Sequence, residues 1–103
     1  MTDPKRKLSA AELTEAGLTG WHLTGDALTT TFRTGKFSTG LELVNRIGAS
    51  AEEANHHPDL TLTYPAVGVR LSSHDVGGIT SRDIDLARTI SGHAADLGVA
   101  ATE

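Results

Sequence analysis

Apolar residues recur along the chain with two different periods. A spacing of three and four residues is typical of helices that bury one face, whereas strict alternation is typical of strands that do so. The expected elements are a helix over residues 10–16, strands over 20–24 and 27–33, a helix capped by Ser38 and ended by Pro58, strands over 60–64 and 67–71, and a helix that begins at Thr80 and ends near Gly98. This order, α-β-β-α-β-β-α, predicts an α+β fold in which a four-stranded antiparallel sheet carries the helices on one face.

Local signals support several of these boundaries. Ser9 and Glu12 match a capping box at the start of the first helix. Gly25-Asp26 suits a two-residue type II′ hairpin turn, and Asp83 stands where a capping-box partner for the last helix is expected. The second helix is expected to bury a stripe of apolar residues. The stripe contains Leu41, Val44, Gly48, Ala51 and Asn55, and is widened by Leu43, Ile47 and Ala54.

The register of the second hairpin decides which histidines can meet. A turn at Pro65-Ala66 would pair apolar residues with apolar residues on one face. The expected pairs are Leu60 with Leu71, Leu62 with Val69, and Tyr64 with Val67. The same register pairs His57 with His74 beyond the strand ends. Proline cannot adopt a positive φ, so a slip through a bulge or a longer loop stays open. In either case His56, His57 and His74 are expected at one end of the sheet.

Composition and charge exclude several classes of protein. The chain has 103 residues, no cysteine and a formal net charge of −4. This length fits a single domain over residues 1–103, with residues 1–7 as a flexible tail. The lack of cysteine excludes disulfides, a thiolate nucleophile and Cys-ligated zinc. The acidic balance argues against a nucleic-acid partner. No apolar run approaches the roughly 20 residues that a membrane helix needs, and no signal-peptide pattern is present, so a cytoplasmic protein is expected.

The clustered histidines allow three interpretations. They could bind a metal, but adjacent histidines rarely chelate one ion together, and no H-x-x-x-H or carboxylate ligand spacing accompanies them. They could move protons, because imidazole titrates near neutral pH. They could also be exposed polar residues in a loop after a helix. His22 and His93 are expected on polar, solvent-facing sides of a strand and a helix, and neither is assigned a role.

A longer pattern resembles the pterin-4a-carbinolamine dehydratase family. An acid stands four residues before a His-His-Pro triplet, an aromatic residue follows, a histidine lies seventeen residues after the second His, and an aspartate lies nine residues beyond it. These positions are held by Glu52, His56, His57, Pro58, Tyr64, His74 and Asp83. Residues 20–21, 32–37, 77–80 and 83–87 are similar too. The resemblance therefore covers nearly the whole chain.

The resemblance implies a hydro-lyase, 4a-hydroxytetrahydrobiopterin dehydratase, that works in pterin recycling without a metal or an organic cofactor. The substrate loses its 4a-hydroxyl as water and becomes the quinonoid dihydropterin. His56 and His74 would be the acid/base pair, with the donor left unassigned, and His57 would position the pterin. The implied substrate-binding residues are Asn55, His56, His57, Ser72, Ser73, His74 and Asp75, with Glu52, Pro58 and Asp83 in support. Asp83 could equally act as a helix cap, and Tyr64 is expected to serve packing.

A second hypothesis belongs to another functional class. A non-catalytic member could act as a dimerisation cofactor or as an assembly factor for another protein, because a fold does not determine a function. Retention of all three histidines favours the enzyme. The resemblance also implies a homodimer or homotetramer, and exposed sheet edges in so small a domain invite pairing between copies.

Overall fold

Three helices and five strands make up residues 5–101, which are described by a computed structural model. In chain order they are α1 Ala10–Glu15, β1 His22–Thr24, β2 Ala27–Arg33, α2 Phe37–Ala54, β3 Asp59–Leu62, β4 Ala66–Leu71, α3 Ser81–Asp96 and β5 Ala100–Ala101. The predicted α+β class and the order α-β-β-α-β-β-α are confirmed, and β5 adds a short strand that was not predicted. Of the expected tail over residues 1–7, residues 1–4 lie outside the described residues.

The strands form one antiparallel sheet in the order β1-β2-β4-β3, and β5 pairs with the far end of β2. Alternate residues of β2 and β4 turn inward and join the buried core with α2 and α3. The largest core residues are Trp21, Leu28, Phe32, Leu43, Ile47, Val67, Leu71, Ile84 and Ile90. The intervening strand residues, such as Thr31 and Arg70, are exposed. The prediction that the helices cover one face of a four-stranded core is therefore confirmed.

The second hairpin has a different register from the predicted one. Leu60 pairs with Val69, and Leu62 pairs with Val67, so the expected pairing was wrong by two residues. A shift of two residues leaves every side chain on its expected face, because side chains alternate with a period of two. The predicted pairing of His57 with His74 depended on that register and is removed by the shift.

The hairpin turn explains the shift. Thr63 and Ala66 exchange backbone hydrogen bonds of 3.0 and 3.4 Å, so Tyr64 and Pro65 form the loop. Pro65 has no backbone N–H to donate, and in the loop no ladder hydrogen bond is required of it. The Tyr64 side chain is 68 % exposed, and the expectation that it serves packing is wrong.

The helix termini agree with the capping patterns at α1 and α3. Ser9 Oγ accepts the N–H of Glu12 at 3.2 Å, and Glu12 Oε1 accepts the N–H of Ser9 at 3.0 Å. Gly25 has a φ of 62°, as the first loop residue of a type II′ turn requires. At the end of α3, Gly98 adopts a φ of 71° two residues after the helix stops.

Helix α2 differs from the prediction at its start and along its face. Its N-cap residue is Lys36, which makes no side-chain capping bond, so the expected Ser38 cap was wrong. Its buried residues are Gly40, Leu43, Ile47 and Ala51. Leu41, expected in the buried stripe, is 45 % exposed. The helix carries apolar residues on two adjacent stripes, and the sheet covers only one of them.

None of the helices in residues 5–101 is long and apolar enough to cross a membrane.

Candidate active site

The first part of the site is the corner between α2 and β3. Asn55 ends α2 in the left-handed region, with φ 51° and ψ 42°. Asparagine tolerates this region better than other side-chain-bearing residues. The N–H of His56 then donates to Ala51 O at 3.1 Å. Helix α2 therefore ends at Ala54, four residues before the predicted end at Pro58, and His56 and His57 follow its C-cap directly.

The second part is the loop between β4 and α3. Ser73 and Gly78 form an isolated antiparallel bridge. Between them the carbonyl of Ser73 accepts the N–H groups of Val76 and Gly77 at 3.1 and 3.0 Å. The loop is therefore closed by its own backbone and carries the adjacent His74 and Asp75 at its start.

The two parts border one surface cleft of about 260 Å³. Its lining residues are Asn55, His56, His57, Ser72, Ser73, His74, Asp75 and Arg82. The first seven are the substrate-binding residues that the family resemblance implies, and Arg82 is an addition that was not predicted. The structure brings these residues together, and their role in binding a pterin stays a prediction.

Asp83 is the fully buried carboxylate behind the cleft, with 0 % of its surface exposed. Its Oδ2 accepts the N–H of Thr80 at 2.9 Å and the hydroxyl of Ser73 at 2.7 Å. Its Oδ1 lies 2.6 Å from Nε2 of His56. Asp83 therefore caps α3, as one alternative predicted, and it also contacts a histidine of the cleft, while its supporting role in the site stays a prediction.

The other two histidines of the cleft are exposed. His57 hydrogen-bonds through Nε2 to the carboxylate of Glu52. The two side chains are 59 % and 77 % exposed, so water screens this pair. The His74 side chain makes no hydrogen bond within residues 5–101 and stands at the surface. Pro58 is half-buried between His57 and β3 and does not line the cleft.

Arg82 is the functional candidate that sequence reasoning missed. Its Nη2 donates to Asp75 Oδ1 at 2.8 Å, and its Nε donates to Thr80 Oγ1 at 3.2 Å. The hydrogen bond from Arg82 lowers the pKa of the Asp75 carboxyl below its ordinary value, and the charges of Arg82 and Lys5 add to this. One signal was available: a cation in the first turn of a helix opposes the helix dipole, which suggests a local acidic partner.

The remaining histidines lie away from the cleft. His22 is exposed on β1, as predicted. His93 is half-buried, and its Nε2 lies 2.7 Å from Ser50 Oγ on α2. The expectation that His93 faces solvent is therefore wrong, because α2 packs alongside it. Within residues 5–101, no three His, Asp or Glu side chains are grouped to hold one metal ion.

Fold and site together define a small α+β protein with three imidazoles, two of them paired with carboxylates, at one end of an antiparallel sheet. A family model described as pterin 4 alpha carbinolamine dehydratase matches residues 6–93 of the chain. The chain belongs to the pterin-4-alpha-carbinolamine dehydratase family.

Individual relatives agree with this assignment. A Thermosynechococcus vestitus protein is 47 % identical over 87 residues, which cover 82 % of this chain and 92 % of the relative. An Aquifex aeolicus protein is 41 % identical over 87 residues, covering 82 % and 88 %. Both carry the provisional name pterin-4-alpha-carbinolamine dehydratase. A solved structure from Brucella melitensis, described as a transcriptional coactivator/pterin dehydratase, aligns with a TM-score of 0.83 and 32 % identity, covering 86 % of this chain and 99 % of that one.

Proposed function

We propose that this protein is a hydro-lyase that dehydrates 4a-hydroxytetrahydropterin to the quinonoid dihydropterin, as a step of cytoplasmic pterin recycling. The observation that carries the proposal is the gathering of His56, His57 and His74 around one cleft in a chain of this family. Imidazole is the side chain best suited to exchange protons near neutral pH.

The reaction needs two proton transfers on the substrate. The bond between C4a and the hydroxyl oxygen breaks, and the hydroxyl leaves as water after it takes a proton from one imidazole. The other imidazole removes the N5 proton, and the electron pair of that N–H bond becomes the new double bond between N5 and C4a. We assign these transfers to His56 and His74. Each positioned acid or base contributes about 10²- to 10⁴-fold to the rate.

The environments of the three histidines support a division of labour. His56 is held by the buried Asp83, which fixes its ring orientation. His74 lines the same cleft and is exposed, so its ring is accessible to substrate and to water. His57 is held by the exposed Glu52, and we assign it the positioning of the pterin ring.

The test is steady-state dehydration of a 4a-hydroxytetrahydropterin by the purified protein, with and without EDTA. We expect wild-type turnover to be insensitive to EDTA. His56→Ala and His74→Ala should each lower kcat by about 10²- to 10⁴-fold, while His57→Ala should mainly raise KM. His22→Ala is the matched control, because His22 is exposed on β1 away from the cleft.

Two results would contradict the proposal. Loss of activity on chelation, restored by zinc, would show that the reaction needs a metal ion and would rule out the metal-free mechanism. Wild-type turnover in both His56→Ala and His74→Ala, with folding checked by circular dichroism, would remove the acid/base assignment.

A second function is favoured by one comparison. The Brucella melitensis structure is described as a transcriptional coactivator as well as a pterin dehydratase. We propose as the alternative that this chain acts as a dimerisation cofactor or assembly factor for another protein. A chain that carries both His56→Ala and His74→Ala separates the two functions, because it should lose dehydration and keep any assembly role.

A further inference from the structure

Five side chains next to the cleft form one continuous line of hydrogen bonds. Arg82 donates from Nε to Thr80 Oγ1 at 3.2 Å, and Thr80 Oγ1 lies 2.8 Å from Ser73 Oγ. Ser73 Oγ donates to Asp83 Oδ2 at 2.7 Å, and Asp83 Oδ1 lies 2.6 Å from His56 Nε2. The line therefore joins the first turn of α3 to the histidine that follows α2.

The donors and acceptors along this line can be assigned. Thr80 Oγ1 accepts two N–H groups of Arg82, from the backbone and from Nε, both at 3.2 Å. A hydroxyl has two lone pairs and one hydrogen, so Thr80 donates to Ser73. Ser73 in turn donates to Asp83. Because the Asp83 carboxylate only accepts, His56 donates from Nε2, and in the neutral ring Nδ1 is the unprotonated nitrogen.

The other end of Arg82 reaches the loop that carries His74. Its Nη2 donates to Asp75, the residue directly after His74, at 2.8 Å. The Arg82 side chain is 30 % exposed, and it lines the cleft together with both histidines. One guanidinium thus connects the loop that carries His74 with the buried group that holds His56.

We propose that Arg82 is a positioning residue that sets the distance between His74 and His56 across the cleft. The proposal rests on the proposed function, since the two histidines are its acid/base pair. Arginine suits the position because its planar guanidinium directs several N–H groups at fixed angles, so that Nε and Nη2 bind separate partners together. Lysine carries one ammonium group and cannot span both Thr80 and Asp75 in this geometry.

The experiment compares Arg82→Gln and Arg82→Lys with Arg88→Gln. Arg88 is the matched control, because it lies on the same helix, is exposed and donates to the carbonyl of Ala16 at 3.0 Å, away from the cleft. Turnover is measured with the pterin substrate. Amide hydrogen exchange is measured at Val76 and Gly77, whose N–H groups close the loop after His74.

We expect Arg82→Gln to lower kcat by up to about 10²-fold, the cost of a misplacement near 1 Å, with a smaller change in KM. Exchange at Val76 and Gly77 should rise at least several-fold, and the pKa of the Asp75 carboxyl should rise toward its ordinary value, because the hydrogen bond from Arg82 that lowers it is lost. Arg82→Lys should keep an ion pair with Asp75 and still show a low kcat. Arg88→Gln should match the wild type in all three measurements.

Several outcomes would overturn the proposal. Wild-type kcat in folded Arg82→Gln, or full rescue of kcat by lysine, would show that the guanidinium bridge does not position the histidines. Unchanged exchange at Val76 and Gly77 would show that Arg82 does not hold the loop. If the wild type fails to dehydrate the pterin, the proposed function fails, and the exchange measurement still tests the link between Arg82 and the loop.

Discussion

At the scale of single residues, Asp83 determines most of the local geometry. A buried carboxylate is costly unless hydrogen bonds compensate for its lost hydration. Asp83 accepts three, from Thr80, Ser73 and His56. The sequence predicted two of its roles from its position at the start of α3 and from the family resemblance. It could not predict the hydroxyl of Ser73 as a further donor, because that contact depends on how the loop after β4 closes.

The first prediction concerns the energy of the bond between His56 and Asp83. A double-mutant cycle with His56→Ala and Asp83→Asn should give a coupling energy of about 1.5–3 kcal/mol, the range for a hydrogen bond to a charged group. The measurement is urea unfolding of the wild type and the three variants. The control is the cycle of His57→Ala and Glu52→Gln, an exposed pair that should couple by about 0–1 kcal/mol. Equal coupling energies in the two cycles would contradict the expectation that burial strengthens the bond between His56 and Asp83.

At the scale of the elements, the second hairpin and β5 show where sequence patterns no longer suffice to predict the structure. The period of two predicted which face each strand buries, but two registers that differ by two residues satisfy it equally. The turn at Tyr64 and Pro65 selects the observed register. The strand β5 consists of Ala100 and Ala101, which carry no alternating pattern. It exists because the chain after α3 returns to the free edge of β2.

A second prediction follows from the left-handed turn that ends α2. Asn55→Gly should keep stability within about 0.5 kcal/mol and should keep kcat, because glycine adopts a positive φ freely, and loss of this predicted binding side chain should raise KM. Asn55→Val should lose about 1–2 kcal/mol and lower turnover, because the turn aims His56. Thermal unfolding and steady-state kinetics of both variants provide the check. If valine were as well tolerated as glycine in both measurements, this turn would not control the site.

The hydrogen bond between Ser50 and His93 supports a third prediction, about how α2 is held against α3. Removing either side chain should cost about 0.5–1.5 kcal/mol, and removing both should cost less than the sum. Turnover of His93→Ala should equal that of the wild type, because His93 does not line the cleft. Unfolding in urea and dehydration kinetics test the two statements separately. A large loss of turnover in folded His93→Ala would give this histidine a role that the structure does not show.

At the scale of the whole molecule, the fold was predictable and the chemistry needed the family resemblance. Periodicity and capping residues determined the element order, because amphipathic helices and alternating strands leave few ways to bury both. The histidines were expected together from topology alone, yet metal binding, proton transfer and a plain surface loop all stayed open. The sequence did not predict Arg82 as a site residue, because its contacts with Asp75 and Thr80 depend on how the loop between them closes.

The fourth prediction concerns assembly. We expect the protein to be a dimer or larger at micromolar concentration, because the sheet has free edge strands and α2 exposes Phe37 and Leu41 at 48 % and 45 %. Light scattering of the wild type is the measurement, and a monomer would contradict the expectation. The double variant Phe37→Ser and Leu41→Ser distinguishes the two surfaces. A smaller species in this variant would assign the contact to α2, and an unchanged species would assign it to a sheet edge.

The double duty of Asp83 has a consequence for how such chains diverge. A descendant that abandons proton transfer can discard His56 at the cost of one of the three hydrogen bonds that Asp83 accepts. It cannot discard Asp83 as freely, because the carboxylate also starts α3 and anchors the loop after β4. Selection for folding alone would therefore preserve the aspartate long after the histidine had drifted. In any relative, an aspartate at this position is therefore evidence of the fold, and only the histidine that contacts it is evidence of catalytic activity.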